Sequence, residues 1–396
     1  MNTQQVIEQF NQFVIGNYYR LPRVIVRAQG AQMWDADGRE YLDFFPGWAV
    51  SGIGHCHPKV VEAIRRQAGE LIHIDNTFYS LPQGQLAQLL SERAFGGQVF
   101  FCNSGAEANE AALKLARKAT PEGKYKFITM LGGFHGRTYG AISATAQPKY
   151  HQGFGPMLPG FKYVPFNDLP AVEKAIDEET CAILVEPIQG EGGIRIPDDN
   201  YLPGLRKLCD ERGLLLILDE VQTGIGRTGT WFAHQQANVV PDIMTLAKAL
   251  GGGVNIGAMM AKPEIAKALV PGTHASTFGG NPLCCAAGVA VIEAIEQENL
   301  LENTEVMSDR IRAHLEELAK RHSCVEEIRA RGLMIGMELN RPGQPIVDAC
   351  LERGLRINCT QSVVLRMTPP MVVTAEQVDR AMTILDESMT AAEAQA

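Results

Sequence analysis

The sequence predicts an α/β fold, with a large domain built on a mostly parallel sheet and a smaller α+β domain. The first observation is that four segments are apolar nearly throughout, namely residues 99–102, 127–130, 181–185 and 214–218. Strands that are covered on both faces, as in a parallel sheet, have this composition. The second observation is that helical patterns, such as 169–177 and 201–212, lie between these segments. Such alternation is typical of a parallel sheet.

The chain has 396 residues, enough for two or three domains, and its pattern changes near residue 284. We expect residues 51–283 to form the large domain. Beyond them, long helical stretches alternate with two short apolar segments, 333–338 and 363–367. This pattern predicts a small domain over residues 284–396.

The first part of the chain, residues 1–50, contains two short strand patterns, 24–26 and 33–35. The Asp37–Gly38 dipeptide is a strong turn signal, and we expect it to join these two strands. We expect this N-terminal segment to pack with the small domain.

The composition excludes several classes of protein. Lys and Arg number 36 against 45 Asp and Glu, giving a net charge of −9, which argues against a nucleic-acid binder. The longest apolar run, 214–218, is far shorter than the ~20 residues that span a bilayer, so we expect no membrane association. The absence of a secretory pattern and nine cysteines without a C-x-x-C pair predict a cytoplasmic protein with reduced thiols.

A helix is predicted to begin directly after the apolar segment 99–102. Ser104 followed by Glu107 matches a capping box, in which each side chain bonds the other residue's backbone. Gly105 at this helix start leaves backbone N–H groups available to an anion. On these residues alone, a purely structural helix cap is the favoured explanation.

Asp219 and Glu220 follow the apolar segment 214–218, at the strand end where α/β sheets bind ligands. A magnesium-binding acid pair of a nucleotide hydrolase would require a G-x-x-x-x-G-K-[ST] motif, which the sequence lacks. The structural alternative is that these acids begin a solvated loop.

Two other patterns match ligand motifs but lack their context. Residues 224–229, Gly-Ile-Gly-Arg-Thr-Gly, fit G-x-G-x-x-G, yet no helix start follows and no acid lies ~20 residues further on. A glycine-rich loop is therefore favoured over a dinucleotide site. His55 and His57 have no partner cluster, so we expect structural histidines and no metal site.

Lys248 lies between apolar residues and the triple glycine 251–253. Partial desolvation lowers the pKa of a lysine and suits it to Schiff-base chemistry. The alternative is a surface lysine whose aliphatic stem is buried.

Taken together, the motifs have one order along the chain, at residues 103–110, 133–137, 186–193, 219–224, 247–253 and 276–282. The series closely resembles the class III (ω-amino) aminotransferases, which use pyridoxal phosphate and have the fold-type I architecture. The resemblance extends from Trp34 to Pro370.

The resemblance implies that Lys248 carries the cofactor as an internal aldimine and moves the reacting proton. It implies that Asp219 faces the pyridine nitrogen of the cofactor and keeps it protonated. The residues that it assigns to cofactor binding are Ser104, Gly105, Ala106, Phe134, His135, Asp219, Glu220, Val221, Gln222, Lys248 and Thr277.

The resemblance also implies how substrates are bound. Arg137 is expected to pair with a substrate carboxylate, and Arg366 with the α-carboxylate of glutamate. Glu191 is expected to cover Arg366 while an ω-amino substrate is bound. Ser276 and Thr277 are expected to reach across a homodimer interface, so that each site contains residues of both chains.

The implied reaction moves the terminal amino group of N-acetylornithine to 2-oxoglutarate by a ping-pong route, as in arginine biosynthesis. Alternative donors are ornithine, succinylornithine, 4-aminobutyrate or an amine of the aminoadipate pathway. Decarboxylation or an intramolecular amino shift is less favoured, because Arg137 and the Glu191–Arg366 pair suit two substrates. A non-catalytic binding protein is disfavoured by the presence of both Lys248 and Asp219.

Two departures from the family pattern affect the expected site. Ala106 replaces a threonine found in many relatives, so a hydroxyl contact to the phosphate is lost while the backbone N–H is kept. Residues 45–48, Phe-Pro-Gly-Trp, are bulkier than expected, and we expect them to line the substrate pocket.

Overall fold

Helices and three sheets organise residues 2–394, the part of the chain that this computed structural model describes. The strands are β1 (Ile25–Gln29), β2 (Gln32–Asp35), β3 (Glu40–Asp43), β4 (Gln98–Cys102), β5 (Lys126–Met130), β6 (Phe161–Val164), β7 (Thr180–Val185), β8 (Leu215–Asp219), β9 (Ile243–Leu246), β10 (Gly257–Ala261), β11 (Val325–Arg331), β12 (Met334–Leu339), β13 (Leu355–Arg356), β14 (Asn358–Thr360) and β15 (Val364–Met367).

The helices are α1 (Thr3–Phe13), α2 (Pro58–Glu70), α3 (Leu81–Arg93), α4 (Gly105–Ala119), α5 (Tyr139–Ala144), α6 (Pro148–His151), α7 (Leu169–Ala175), α8 (Tyr201–Arg212), α9 (Pro263–Ala266), α10 (Pro282–Gln297), α11 (Leu300–Arg321), α12 (Gln344–Glu352) and α13 (Ala375–Glu393). Short 3₁₀ turns occupy Ala233–Gln235 and Lys248–Gly251. Within this described part, no helix is both long and apolar enough to cross a membrane.

The largest sheet has seven strands in the order β4-β10-β9-β8-β7-β5-β6. The strands from β9 to β6 pair in parallel, and β10 runs antiparallel to both of its neighbours. The predicted α/β class with a mostly parallel sheet is therefore confirmed. Because parallel strands end at one edge, the loops after β5, β7, β8 and β9 meet there.

Helices cover both faces of this sheet, which explains why its strands are apolar nearly throughout. On one face, Leu216 and Leu218 of β8 pack with Leu205 of α8. On the other face, Ile217 packs with Leu115 of α4. Since side chains alternate along a strand, Asp219 lies on the same face as Ile217 and therefore towards α4.

The C-terminal part contains a second sheet, with the antiparallel order β11-β12-β15-β14. The N-terminal strands β1, β2 and β3 form a third sheet, and β3 pairs in parallel with β13 through Leu42 and Leu355. The N-terminal segment therefore hydrogen-bonds to a strand from the C-terminal part. The proposed division of the chain at residues 51 and 284 stays a prediction.

The Asp37–Gly38 turn does not join β1 and β2, as the sequence had suggested, but joins β2 and β3. Asp35 closes it, because its carboxylate Oδ1 accepts hydrogen bonds from the backbone N–H groups of Asp37 at 3.0 Å and Arg39 at 2.9 Å. Gly30, with φ of +56°, lies in the connection between β1 and β2. The strand β3 was missed because its sequence, Glu-Tyr-Leu-Asp, has no apolar alternation.

A buried carboxylate joins β8, helix α8 and the residue after β10. Asp242, just before β9, accepts hydrogen bonds from the Leu216 amide, Arg206 Nη1 and Lys262 Nζ, each at 2.8 Å. Burial by itself raises the pKa of Asp242, but the hydrogen bonds from Lys262, Leu216 and Arg206 outweigh it and hold the pKa below its usual value. The folded state therefore favours the charged form of this group.

We expect Asp242→Ala to lower the free energy of unfolding at pH 7 by about 2–3 kcal/mol, because it removes charge-assisted hydrogen bonds. The contribution is present above the unfolded carboxyl pKa of about 3.9 and is lost as the pH falls through the lower folded value. Calorimetric unfolding between pH 7 and pH 3 measures this. Glu211→Gln, which alters the exposed Lys207–Glu211 pair, is the control. A loss independent of pH would contradict this role.

Candidate active site

A cavity of about 440 Å³ opens at the edge where the parallel strands end. Most of the residues predicted for the site line it, namely Ser104, Gly105, Ala106, Phe134, His135, Arg137, Glu191, Asp219, Val221, Gln222 and Lys248. They come from loops that are far apart in sequence, and the sheet topology brings them together.

The carboxylate of Asp219 is held at the end of β8 by hydrogen bonds from three directions. Oδ2 accepts from Asn109 Nδ2 at 2.8 Å and from His135 Nδ1 at 2.7 Å, and Oδ1 accepts from the Val221 amide at 3.0 Å. Asn109 is itself fixed, because its Oδ1 accepts from Thr245 Oγ1 at 2.9 Å. Asp219 is only 3% exposed, so this network replaces the water that the carboxylate has lost.

The two buried acids at this edge have opposite electrostatic environments. Burial raises the pKa of Asp219, but the hydrogen bonds from His135 and Asn109 outweigh it and leave the pKa below its usual value. Glu186, directly after β7, accepts from the amides of Phe134 at 2.9 Å and Gly190 at 3.1 Å. Burial dominates there and raises the pKa of Glu186. The site therefore favours an anion at Asp219.

Lys248 lies two residues after the end of β9 and adopts φ of +43°, an uncommon value for a residue other than glycine. Such backbone conformations cluster at functional sites. Burial lowers the pKa of Lys248, and the nearby carboxylates of Glu191, Glu186 and Asp219 only partly offset this effect. A larger fraction of the amine is therefore neutral and nucleophilic than in an exposed lysine.

The N-terminus of α4 presents unpaired backbone N–H groups to the cavity. Within residues 2–394, the amides of Gly105 and Ala106 have no hydrogen-bond acceptor. Gly105 is required by packing, since a Cβ there would lie 2.8 Å from a methyl group of Val221. Free amides at a helix N-terminus bind phosphate groups well.

The predicted capping box at this helix forms only in part. Ser104 Oγ accepts from the Glu107 amide at 3.2 Å, as expected. The Glu107 carboxylate does not bond the Ser104 amide but accepts from the amide of Asn103 at 2.6 Å and from its side chain at 2.9 Å. The acid thus fixes the residue before the cap and orders the loop that enters the helix.

The cavity fits a phosphorylated, aromatic cofactor. Two buried polar atoms at its wall, Gln222 Oε1 and His135 Nε2, have no hydrogen-bond partner in the described part of the chain. Phe134 offers an aromatic face, and the α4 amides offer an anion site. An acid, an amine, a phosphate cradle and an aromatic wall are the groups that pyridoxal phosphate needs.

Arg366, on β15, is 1% exposed and donates from Nη1 to Glu191 Oε1 at 2.6 Å. Its other contacts do not depend on Glu191: Nη2 and Nε donate to Asn358 Oδ1 at 2.8 and 3.1 Å. The guanidinium also lies 4.7 Å from the ring centroid of Phe45. Burial raises the pKa of Glu191, but Arg366 outweighs it and leaves the pKa below its usual value.

Arg137 lines the cavity, whereas Arg366 is not part of the cavity wall and reaches it through Glu191. Within the described residues Arg137 makes no ion pair, and its guanidinium stacks 3.7 Å from the ring centroid of Tyr150. Stacking fixes the plane of the group and leaves its N–H donors open to a carboxylate.

Some predicted site residues lie elsewhere. The Glu220 carboxylate points away from the cavity and accepts from Thr223 Oγ1 and from the amides of Ala233 and His234, each at 2.8 Å. Ser276 accepts from Asn103 Nδ2 at 3.3 Å, outside the cavity wall, and Thr277 is exposed.

The bulky segment 45–48 does not line the cavity in this chain, although Val50 does. Phe45 instead packs beneath Arg366, and Trp48 contacts Phe45 edge to face at 5.9 Å. That the segment lines the substrate pocket stays a prediction, since Phe45 contacts Arg366 while Trp48, with φ of +57°, is 48% exposed.

Asn109 and Glu186 are site residues to which the sequence analysis assigned no role. Glu186 follows β7 as Asp219 follows β8, so the rule that ligands bind at strand ends could have identified it. Asn109 lies one turn after Gly105 on α4, on the face towards the sheet, and that spacing was its only signal.

The two histidines near residue 56 each bond a carboxylate. His55 Nε2 lies 2.9 Å from Asp43, and His57 Nε2 lies 3.2 Å from Glu298.

Comparisons with known proteins agree with this geometry. The acetylornithine aminotransferase of Caldanaerobacter subterraneus is 52% identical over 96% of this chain and 97% of its own length. The N-acetylornithine aminotransferase of Stenotrophomonas maltophilia superimposes with a TM-score of 0.85 at 37% identity, covering 98% of this chain and 100% of that one.

A crystal structure of the ornithine aminotransferase of Toxoplasma gondii, whose active site is partly occupied by pyridoxal phosphate, superimposes with a TM-score of 0.95 at 36% identity. It covers 100% of this chain and 96% of the other. The model of the family "Aminotransferase class-III" matches residues 15–389. With its sheet, its buried Asp219 and its desolvated Lys248 at the expected positions, this chain belongs to the class III aminotransferases.

Proposed function

We propose that this aminotransferase moves the terminal amino group of N-acetylornithine to 2-oxoglutarate in a cytoplasmic biosynthesis of arginine. The observation that carries the proposal is the pairing of one open arginine, Arg137, with one covered arginine, Arg366. The Caldanaerobacter relative supports the choice of donor. Ornithine is the second candidate, because the Toxoplasma structure has the higher TM-score.

Pyridoxal phosphate is the cofactor, and when bound it supplies an electron sink for the carbon that loses a proton. We assign its phosphate to the amides of Gly105 and Ala106, where the N-terminus of α4 favours negative charge. Phe134 would pack against the ring, and Gln222 would hold its phenolic oxygen.

Asp219 and Lys248 divide the proton chemistry between them. Asp219, held as an anion by Asn109 and His135, keeps a proton on the pyridine nitrogen. Lys248, whose pKa burial lowers, would hold the cofactor covalently and would accept the proton that the substrate carbon loses.

Glu191 and Arg366 allow one cavity to accept two unlike substrates. An ω-amino donor brings its amine to the cofactor and its carboxylate to Arg137, while Glu191 neutralises Arg366. The backbone oxygen of Glu191 is fixed by Thr360 Oγ1 at 2.9 Å and Gln361 Nε2 at 2.7 Å, so its side chain can rotate on a fixed backbone. A dicarboxylate then displaces the Glu191 side chain and pairs with Arg366.

We also propose that the enzyme is a homodimer in which Thr277 and Ser276 contact the partner's site. Thr277 is exposed next to the exposed Phe278, and Tyr79 is exposed in a second segment of this surface. The two segments that form this surface are joined, because Asn76 Nδ2 donates to the Gly279 carbonyl at 2.9 Å. A second copy of this chain would bury this apolar area.

The amino donor is tested with a panel assayed against 2-oxoglutarate: N-acetylornithine, ornithine, N-succinylornithine and 4-aminobutyrate. We expect the highest kcat/KM for N-acetylornithine. Lys248→Ala should show no turnover with any donor, because it removes the amine that holds the cofactor and takes the proton from the substrate. Its thermal unfolding should stay close to that of the wild type. A higher kcat/KM for ornithine would overturn the choice of donor, and turnover by Lys248→Ala would overturn the chemistry.

Asp219→Asn should slow both half-reactions by roughly 10²–10⁴, because a neutral amide cannot hold the pyridine nitrogen protonated. Glu220→Gln is the matched control, since the neighbouring acid faces away from the cavity and should affect stability more than rate. Single-turnover kinetics of each half-reaction measure the effect. Equal rate losses in the two variants would remove Asp219 from this role.

Glu191→Ala should favour the glutamate half-reaction over the ω-amine half-reaction, since it exposes Arg366. Arg366→Ala should do the reverse, and Arg137→Ala should weaken both, each lost carboxylate pairing costing about 2–5 kcal/mol. Glu326→Ala, which removes an exposed acid on β11, is the control. Single-turnover rates are measured separately for the two half-reactions. Equal rate losses in both half-reactions for Glu191→Ala and for Arg366→Ala would mean that Glu191 does not control access to Arg366.

A further inference from the structure

The loop at residues 224–229 matches a dinucleotide motif in the sequence, but in the structure it packs closely against the C-terminal part of the chain. A Cβ on Gly226 would lie 2.7 Å from Met371 Sδ, and a Cβ on Gly229 would lie 2.9 Å from Glu305 Cγ. The glycines therefore let the loop approach the C-terminal part of the chain. This leaves Arg227, at the centre of the loop, without a role in the chemistry described above.

Arg227 is 1% exposed and has no carboxylate within ion-pair distance among residues 2–394. Its Nη1 donates to the backbone carbonyls of Leu333, at 3.3 Å, and of Pro369. Burial lowers the pKa of Arg227 to about 10, so the group is still charged at neutral pH. A buried cation without a counter-ion is costly, and a role in packing alone would be served better by an apolar side chain.

The two carbonyls that Arg227 holds lie at the ends of the strand pair that carries Arg366. Leu333 directly precedes β12, and Pro369 follows β15 by two residues. Between them, β12 and β15 pair in antiparallel register, with Gly336 opposite Arg366. One guanidinium nitrogen thus connects both strands at the point where their own ladder ends.

The loop that bears Arg227 is connected to the cofactor site. Arg227 lies in the connection between β8, which ends at Asp219, and β9, which precedes Lys248. Its backbone carbonyl also accepts from the Leu333 amide at 3.0 Å, and a Cβ on Gly332 would lie 2.5 Å from the backbone carbon of Thr228. The contact between the loop and the strand pair therefore leaves little freedom for either to move.

We propose that Arg227 is a positioning residue for the carboxylate site: it fixes the strand pair that bears Arg366 relative to Asp219 and Lys248. The proposal rests on the proposed function, in which Arg366 receives a carboxylate of the dicarboxylate substrate. A dicarboxylate spans Arg137 and Arg366 and depends on the distance between them. An ω-amino donor uses Arg137 alone, so its reaction does not depend on Arg227.

Glutarate is a suitable probe, because it has both carboxylates of 2-oxoglutarate but no reactive carbonyl. We expect Arg227→Met to raise the Kd of glutarate for the cofactor-loaded enzyme roughly tenfold, since small displacements already weaken fixed contacts. Arg227→Lys, which keeps a charged donor for the two carbonyls, should restore most of the affinity. The ω-amine half-reaction should change less than about twofold in both variants, in keeping with a displacement confined to the Arg366 side.

Leu318→Ala is the control for lost stability, because it truncates a buried side chain of α11 without touching the loop. It should lower the unfolding temperature and leave the Kd of glutarate unchanged. If Arg227→Met does not fold, Gly332→Ala tests the same contact from the other side. It should likewise raise the Kd of glutarate and leave the rate of the ω-amine half-reaction nearly unchanged.

Arg366→Ala separates the two possible failures. If it leaves the Kd of glutarate unchanged, the proposed function of Arg366 is wrong. If it raises the Kd while Arg227→Met does not, only the positioning role of Arg227 is overturned. Equal losses for glutarate binding and for the ω-amine half-reaction in Arg227→Met would also overturn it, since they would indicate a general disturbance of the fold.

Discussion

Asp219 is buried as an anion at the carboxyl end of β8, where hydrogen bonds from Asn109, His135 and the Val221 amide replace its hydration. This constraint fixes much of the surrounding structure. Asn109 must face the sheet from α4, which sets the rotation of that helix and places its N-terminal amides in the cavity. His135 must approach from the loop after β5, which brings Phe134 and Arg137 to the same cavity.

The second requirement is that several charges lie in or next to a small cavity and keep distinct roles. Lys248 is desolvated but lies near the carboxylates of Glu191, Glu186 and Asp219. Two of these acids have a side-chain partner: Glu191 pairs with Arg366, and Asp219 pairs with His135. Arg137 has no acid and relies on stacking against Tyr150. In the proposed function, Asp219 is the permanent anion and Lys248 the reactive amine. Arg137 is the open cation, and Arg366 is the cation whose partner, Glu191, is exchanged for a substrate carboxylate.

The sequence predicted four of the seven strands of the large sheet, β4, β5, β7 and β8, because these are apolar runs bounded by helices, and the end of β8 identified Asp219 as a candidate. Strands β6, β9 and β10 were missed. In β10, Gly-Ala-Met-Met-Ala has low strand propensity and forms a strand by pairing with β4 and β9. Adjacent residues of a strand end point in opposite directions, so the pattern alone could not separate Glu220 from Asp219. The roles of Asn109 and Arg227 depend on contacts more than 100 residues apart, which no local pattern contains.

The pH dependence of covalent cofactor capture tests the central claim, that burial lowers the pKa of the Lys248 amine and that nearby carboxylates, Asp219 among them, partly offset this effect. The rate at which pyridoxal phosphate attaches to the cofactor-free protein would be followed by absorbance across a pH series. We predict a midpoint below the usual lysine value of about 10.4, and a lower one still in Asp219→Asn, because a carboxylate that stabilises the charged amine is lost. A midpoint near that of an exposed lysine, unchanged by Asp219→Asn, would contradict the account.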